Sequence, residues 1–182
     1  MNFDSVIPED VREAMLTMAR NAPAGNFVEV GVFMGGSARQ LLDIATEQNR
    51  ALYCYDTFDG IPCASAEHGD SHVVGDFAHD NEQAVRDHLS GAFVVRGVFP
   101  HSAVPMGQIA FAHLDCDQYQ SVYESASYLL PRLVDGGVLW FDDAPVLAGA
   151  KKAVRELFGE SIQEAPVGRW YVVKRGEHGL ET

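Results

Sequence analysis

The stretch Ile109-Ala110-Phe111-Ala112-His113-Leu114-Asp115-Cys116-Asp117 runs five apolar residues and one histidine straight into two carboxylates. A run of this kind does not alternate, so it reads as a strand covered on both faces, as in a parallel sheet between layers of helix. The same pattern recurs on either side of it. Gly137-Val138-Leu139-Trp140-Phe141 follows in the chain and ends in Asp142-Asp143. Phe27-Val28-Glu29-Val30-Gly31, Leu52-Tyr53-Cys54-Tyr55 and Phe93-Val94-Val95-Arg96 precede it. Between the runs lie helical stretches: Ser37 to Gln48, about Asn81 to Leu89, about Gln118 to Leu133 and near Ala150 to Phe158. A further helix opens the chain behind Pro8, with Val11, Met15 and Met18 at helical spacing and Asn21-Ala22-Pro23-Ala24-Gly25 as its stop. Strand–helix alternation with right-handed crossovers predicts a three-layer, doubly wound α/β fold. The tail departs from this: Ser161-Ile162-Gln163-Glu164 and Trp170-Tyr171-Val172-Val173 are too close for a crossover and predict an antiparallel hairpin. The expectation is a short helical segment over residues 1–25 and one α/β domain over residues 26–182.

The whole chain suits that size. Its 182 residues are 47% hydrophobic, enough for one packed core. Acids outnumber bases 26 to 13, a net charge of -13, which opposes binding to a nucleic-acid backbone or an anionic membrane face. Three cysteines (Cys54, Cys63 and Cys116) lack CxxC spacing and suggest neither a disulfide framework nor a zinc site. No stretch is apolar for long enough to span a bilayer. The opening MNFDSVIPEDVREAM carries no basic region followed by an apolar one, so no secretory signal is expected and the cytoplasm is the expected compartment. The apolar face of the first helix packs on its own sheet or on a second copy, which leaves a homo-oligomer open.

Ligands of open α/β sheets bind at the carboxyl ends of the strands, so the residues just past each run carry the chemistry. The first run ends in Val30-Gly31-Val32-Phe33-Met34-Gly35-Gly36-Ser37, a glycine turn without the pyrophosphate fingerprint. Its plain reading is a tight strand-to-helix turn with Ser37 and Gln40 as a capping pair. Glu29, inside an apolar strand, needs a polar ligand or a backbone N–H, since an unpaired buried acid is costly. Asp56 ends the second run at the place where a carboxylate grips a ribose diol, and the two strand ends together favour an adenosine-containing cofactor. Asp115 and Asp142 lie 27 residues apart, room for a helix and a strand, so both acid pairs reach one edge of the sheet. Carboxylates gathered in one cleft repel one another, and a bound cation resolves that. With oxygen donors alone the ion is hard: Mg²⁺, with Mn²⁺ or Ca²⁺ as alternatives. The competing roles are helix capping by Asp117 with Gln120, turn capping by Asp143, and inward packing by Cys116.

Taken together, Glu29 to Ser37, Tyr55-Asp56-Thr57-Phe58-Asp59-Gly60-Ile61-Pro62, Leu114 to Ser121 and Gly136 to Asp143 resemble the macrocin O-methyltransferase (TylF-type) family. Arg96-Gly97-Val98-Phe99-Pro100 resembles that family's segment after the third strand, and the likeness covers about residues 26 to 175. The resemblance implies a Rossmann-like methyltransferase fold with a reversed last strand and S-adenosylmethionine as cofactor. It implies that Glu29, Gly31 and Ser37 line the methionine end, that Asp56 holds the ribose, and that Gly35, Thr57, Phe58 and Asp115 adjoin the cofactor. It further implies that Asp115, Asp142 and Asp143 hold Mg²⁺ and that Asp117 is the general base toward a small-molecule hydroxyl. Three departures stand out: family members usually have a longer region before the first strand, a glycine where Cys116 stands, and often a Tyr where Ala144 stands.

Of the histidines, His68, His72 and His79 crowd the segment after the second strand, which reads as a substrate lid or as a polar loop with its rings in water. His113 reads as a satisfied core histidine, and His101 follows the third strand within reach of the cleft. Two other activities compete, an NAD-dependent oxidoreductase and a non-catalytic cofactor-binding protein of the same fold. The altered glycine pattern and the terminal hairpin weigh against the first.

Overall fold

The computed structural model describes residues 3–176 and 179–180; the outermost positions of the expected span, residues 1–2 and 181–182, lie outside them. Seven of its strands form one path: β1 (Asn26–Val30), β2 (Leu52–Asp56), β3 (Phe93–Arg96), β4 (Ile109–Leu114), β5 (Leu133–Phe141), β6 (Gln163–Glu164) and β7 (Trp170–Arg175). Their spatial order is β3-β2-β1-β4-β5-β7-β6, with β8 (Gly179–Leu180) paired to β7. The first five strands run parallel; β7 is antiparallel to both β5 and β6, so the terminal hairpin is present as expected.

The helices are α1 (Glu9–Asn21), α2 (Gly36–Glu47), α3 (Glu82–His88), α4 (Tyr119–Leu129) and α5 (Ala148–Phe158). Each strand sends successive side chains to opposite faces, which fills two cores. On one face Phe27, Phe111, Val138 and Trp140 pack under α1, α2 and α3, with Met15, Leu41 and Leu89 buried against them. On the other, Val28, Ala112, Leu139 and Phe141 pack under α4 and α5, against Val122, Leu129 and Val154. Through Val11, Met15 and Ala19 the first helix joins the first of these cores. Truncating a fully buried ring such as Trp140 or Phe111 would cost about 3–5 kcal/mol.

Two expectations are revised. The helix expected from Gln118 to Leu133 ends at Leu129, because Pro131 lacks the N–H a further turn needs; a 3₁₀ turn (Leu130–Arg132) follows and Leu133 already belongs to β5. The expected capping pair of Ser37 with Gln40 is absent. Ser37 lies inside the first turn of α2 and donates to the Glu29 carboxylate at 2.6 Å, because a buried acid needs a donor more than the helix end does.

Chain order reverses between β1 and β4, the neighbouring strands whose successors lie on opposite sides. That is where an open sheet leaves a crevice at its carboxyl edge. Along this edge β1 ends at Val30 beside Leu114 of β4, which in turn lies beside Phe141 of β5. Gly31, Asp115 and Asp142 are therefore the next residues out on three adjacent strands.

Candidate active site at the sheet's switch point

A cavity of about 380 Å³ opens at this edge. Gly31, Asp56, Thr57, Asp115 and Asp117 line it, with Val30, Phe33, Tyr55, Phe77, Val98 and Phe99 as apolar wall. Glycine is required at 31: φ is +87°, and a Cβ there would overlap the Asp115 carbonyl. Strand ends β1 and β4 thus approach as closely as backbone allows.

On the β1–β2 side the carboxylate is spoken for. Asp56 Oδ2 accepts the Val32 and Phe33 N–H groups at 2.8 Å each, and Oδ1 accepts the Phe58 N–H at 2.7 Å. It clamps the glycine turn while its flank faces the cavity. Thr57 Oγ1 donates to the Gly60 carbonyl at 2.6 Å and closes the turn after β2. Phe58 is buried in the first core, and Gly35 (φ +86°) precedes α2 against Leu89 and His88; neither belongs to the cavity wall.

Behind the wall lies a buried polar row. Glu29 and His113 are register partners on β1 and β4, both fully buried, with His113 Nδ1 2.9 Å from Glu29 Oε1. Ser37 shares that same oxygen, so Glu29 acts through α2 and β4 and is screened from the cavity. Burial works against charge on His113, yet Asp142 and Glu29 outweigh it and hold its pKa well above the usual value. His113 is a core residue as read but only half satisfied, since Nδ1 meets Glu29 while Nε2 is buried without a hydrogen-bond partner among the described residues. A smaller pocket above Ser37 is bounded by Asp4, Ser5, Ile7, Gly36 and Asp115, so the segment before α1 lies over the glycine turn.

On the β4–β5 side the carboxylates crowd one another. Oxygens of Asp115, Asp142 and Asp143 lie within 4.8 Å of one another. Asp142 Oδ1 is buried without a hydrogen-bond partner among the described residues; His113 Nε2, at 3.8 Å, is too far for one. Burial, then Asp143 and Asp142, push the Asp115 pKa well above the carboxylate range. Burial, then Asp117, push Asp143 to about 8. An orphaned carboxylate oxygen inside an all-oxygen acidic cluster fits a hard divalent cation, which would relieve the repulsion and satisfy that atom. Asp117 has φ +57° and donates its N–H to Asp143 Oδ2 at 2.8 Å. Burial raises its own pKa, and His72 pulls the other way. The capping role considered for Asp117 is not seen: Gln118 is the N-cap of α4, and the Tyr119 N–H is taken by Asp70 at 2.8 Å. Cys116 lines the cavity and packs against the second core, its thiol pKa pushed up by burial and the adjoining acids.

The loop histidines are partly buried instead of facing water. His68 stacks on Tyr119 (3.8 Å between ring centroids) with Lys152 Nζ 2.7 Å from its Nδ1. His79 meets Phe33 and Phe58 edge to face, and His72 lies between Asp76 and Asp117. His101 is exposed and is not part of the cavity wall. Asp70 and Phe77 are not singled out by the sequence; nothing in local spacing points to them, because each meets the site through a contact distant in the chain.

A model of the macrocin-O-methyltransferase (TylF) family matches residues 8–169. An 8-demethyl-8-(2,3-dimethoxy-alpha-L-rhamnosyl)-tetracenomycin-C 4'-O-methyltransferase from Streptomyces olivaceus is 27% identical over 177 residues, covering 83% of this chain and 64% of that protein. A demethyldecarbamoylnovobiocin O-methyltransferase from Streptomyces niveus is 25% identical over 170 residues, covering 81% and 63%. The chain therefore spans less than two thirds of the length of these curated relatives. Among solved structures, the O-methyltransferase NovP superposes with a TM-score of 0.71 at 21% identity, over 92% of this chain and 79% of that one, a likeness of fold.

Proposed function

The chain belongs to the macrocin O-methyltransferase family, and from that premise we propose that it is an S-adenosylmethionine- and Mg²⁺-dependent O-methyltransferase. Its acceptor would be one hydroxyl of a small diol-like compound, a sugar or other natural-product moiety. One observation carries the reading: Asp115, Asp142 and Asp143 cluster at the carboxyl edge of the sheet with one Asp142 oxygen buried and unpartnered among the described residues, and Asp115 of that cluster lines the cavity beside Gly31. The two curated relatives, named for O-methyl transfer, support it.

Asp115, Asp142 and Asp143 would hold the cation, with Gly31, Asp56 and Thr57 toward the cofactor. When bound, the cation supplies a Lewis acid that lowers the pKa of a ligated hydroxyl, and the cofactor supplies an electrophilic methyl group. The remaining work falls to the chain. The Asp117 carboxylate would take the proton that the acceptor hydroxyl gives up on methylation. Asp143 holds the Asp117 backbone, so the base is fixed to the cation cluster. Val30, Phe33, Tyr55 and Phe77 give the cavity an apolar wall against which the acceptor's carbon skeleton would rest.

The test is transfer of labelled methyl from S-adenosylmethionine to a panel of diols. Wild-type protein should turn over at least one of them with Mg²⁺ and lose turnover in chelator. Asp142→Asn should lose it with Mg²⁺ present while still binding S-adenosylhomocysteine in a calorimeter. Full turnover in chelator would sink the metal-dependent reading.

A further inference from the structure

We infer that His72 is a positioning residue for the Asp117 carboxylate, and that the segment after β2 is folded so as to bring it there. The inference rests on the proposal that Asp117 takes the acceptor's proton. Its own support is geometric. His72 Nε2 lies 3.8 Å from Asp117 Oδ1, and Nδ1 lies 3.7 Å from Asp76 Oδ2, so one ring bridges a loop carboxylate and the proposed base. Phe77, which lines the cavity, meets the ring edge to face at 5.0 Å between centroids.

The loop that carries the ring is closed and anchored. At its neck the Ile61 N–H donates to the Asp76 carbonyl at 2.9 Å and the Gly75 N–H to the Ile61 carbonyl at 3.0 Å. Gly60 must be glycine: φ is +82°, and a Cβ would overlap the carbonyls of Gly75 and Asp76. Midway, Asp70 accepts the Ser65 N–H through Oδ2 and the Tyr119 N–H through Oδ1, both at 2.8 Å, tying the loop to the start of α4 two residues past Asp117. Asp76 Oδ2 also accepts the Val73 N–H at 2.9 Å, which fixes the far side of the bridge. Asp117 is thus held through its backbone by Asp143 and faced through its side chain by His72. A carboxylate restrained from one side only can rotate about its side-chain torsions, and misplacing a reacting group costs rate more than binding. At 3.7–3.8 Å neither contact is a hydrogen bond; the ring instead occupies the space beside the Asp117 carboxylate and limits its side-chain rotation.

The rival role for His72 is packing on Phe77 alone, and a double-mutant cycle separates the two. Amide hydrogen exchange over residues 61–77 should be followed in the full chain with S-adenosylhomocysteine and Mg²⁺. The variants are His72→Ala, His72→Gln, Asp117→Asn and the double His72→Ala/Asp117→Asn. Each of the two disruptive single variants should speed exchange there by about threefold or more, the double variant no more than either, and His72→Gln should recover part of the loss. If Asp117→Asn leaves exchange unchanged, or the two effects simply add, the inference is overturned. Kinetics with methyl α-L-rhamnopyranoside as probe diol give the second readout. For His72→Ala, kcat should fall on the order of tenfold with KM for S-adenosylmethionine within about twofold. A wild-type protein that binds S-adenosylhomocysteine yet methylates no diol would count against the proposed reaction, while the exchange cycle would still decide the role of His72.

Discussion

The two sides of the switch point treat carboxylates in opposite ways. After β1 and β2, Asp56 spends its lone pairs on three backbone N–H groups and so shapes the glycine turn. After β4 and β5, Asp115, Asp142 and Asp143 face one another, with one oxygen buried and unpartnered. Where the fold uses its acids internally they hold the backbone in shape. Where they crowd together with an oxygen unpartnered, they cost stability, which is what the proposed cation would offset.

Substituting across this divide should separate stability from activity. The largest effect belongs to the acid cluster. Asp143→Asn, which keeps an oxygen for the Asp117 N–H, should lower Mg²⁺-dependent methyl transfer by about a hundredfold or more. Its metal-free melting temperature should stay level or rise at pH 8, because a repelling charge is gone. A marked fall in melting temperature would mean that the cluster serves the fold. Asp56→Ala should differ by lowering stability itself: it removes three charge-assisted bonds at a cost of about 3 kcal/mol, read as a melting temperature roughly 10 °C lower, in addition to any loss at the cofactor side.

Stability against pH is the next discriminator. Folded-state pKa values of Asp115 and Asp143 are raised, the latter to about 8, above their unfolded values near 4. Between those limits the folded state binds more protons, so stability falls as pH rises. His113, also raised, contributes in the same direction above its unfolded value. Metal-free protein should therefore melt progressively lower from about pH 5 to pH 8, and Mg²⁺ should remove most of that slope by replacing the protons. A flat profile without metal would remove the argument from repulsion. The smallest effect is expected at Asp70→Ala, which strips the partner from the Ser65 and Tyr119 N–H groups and should cost about 2 kcal/mol in urea denaturation. The hydrogen-exchange rate of residues 61–77 should rise with it.

What could be read in the sequence divides along physical lines. Apolar runs that end in acids are legible because burial and desolvation act on neighbours in the chain: β4 lies at Ile109–Leu114 as read, and Asp115, Asp142 and Asp143 come together. The terminal hairpin was equally legible, since a short connection forbids a crossover. Residues 60–80 were not. Their shape depends on single contacts between distant positions, such as Asp70 to Tyr119 across 49 residues. Ser37 shows the limit most clearly. Local spacing makes it a helix cap, while the tertiary need of Glu29 for a donor takes its hydroxyl away.

The most direct test is methyl transfer from labelled S-adenosylmethionine to a diol panel, run with Mg²⁺ and with chelator on wild-type protein and Asp142→Asn. Turnover confined to wild-type protein with Mg²⁺, alongside intact S-adenosylhomocysteine binding in both, is the predicted result. Equal turnover by the two proteins, or undiminished turnover in chelator, would contradict it.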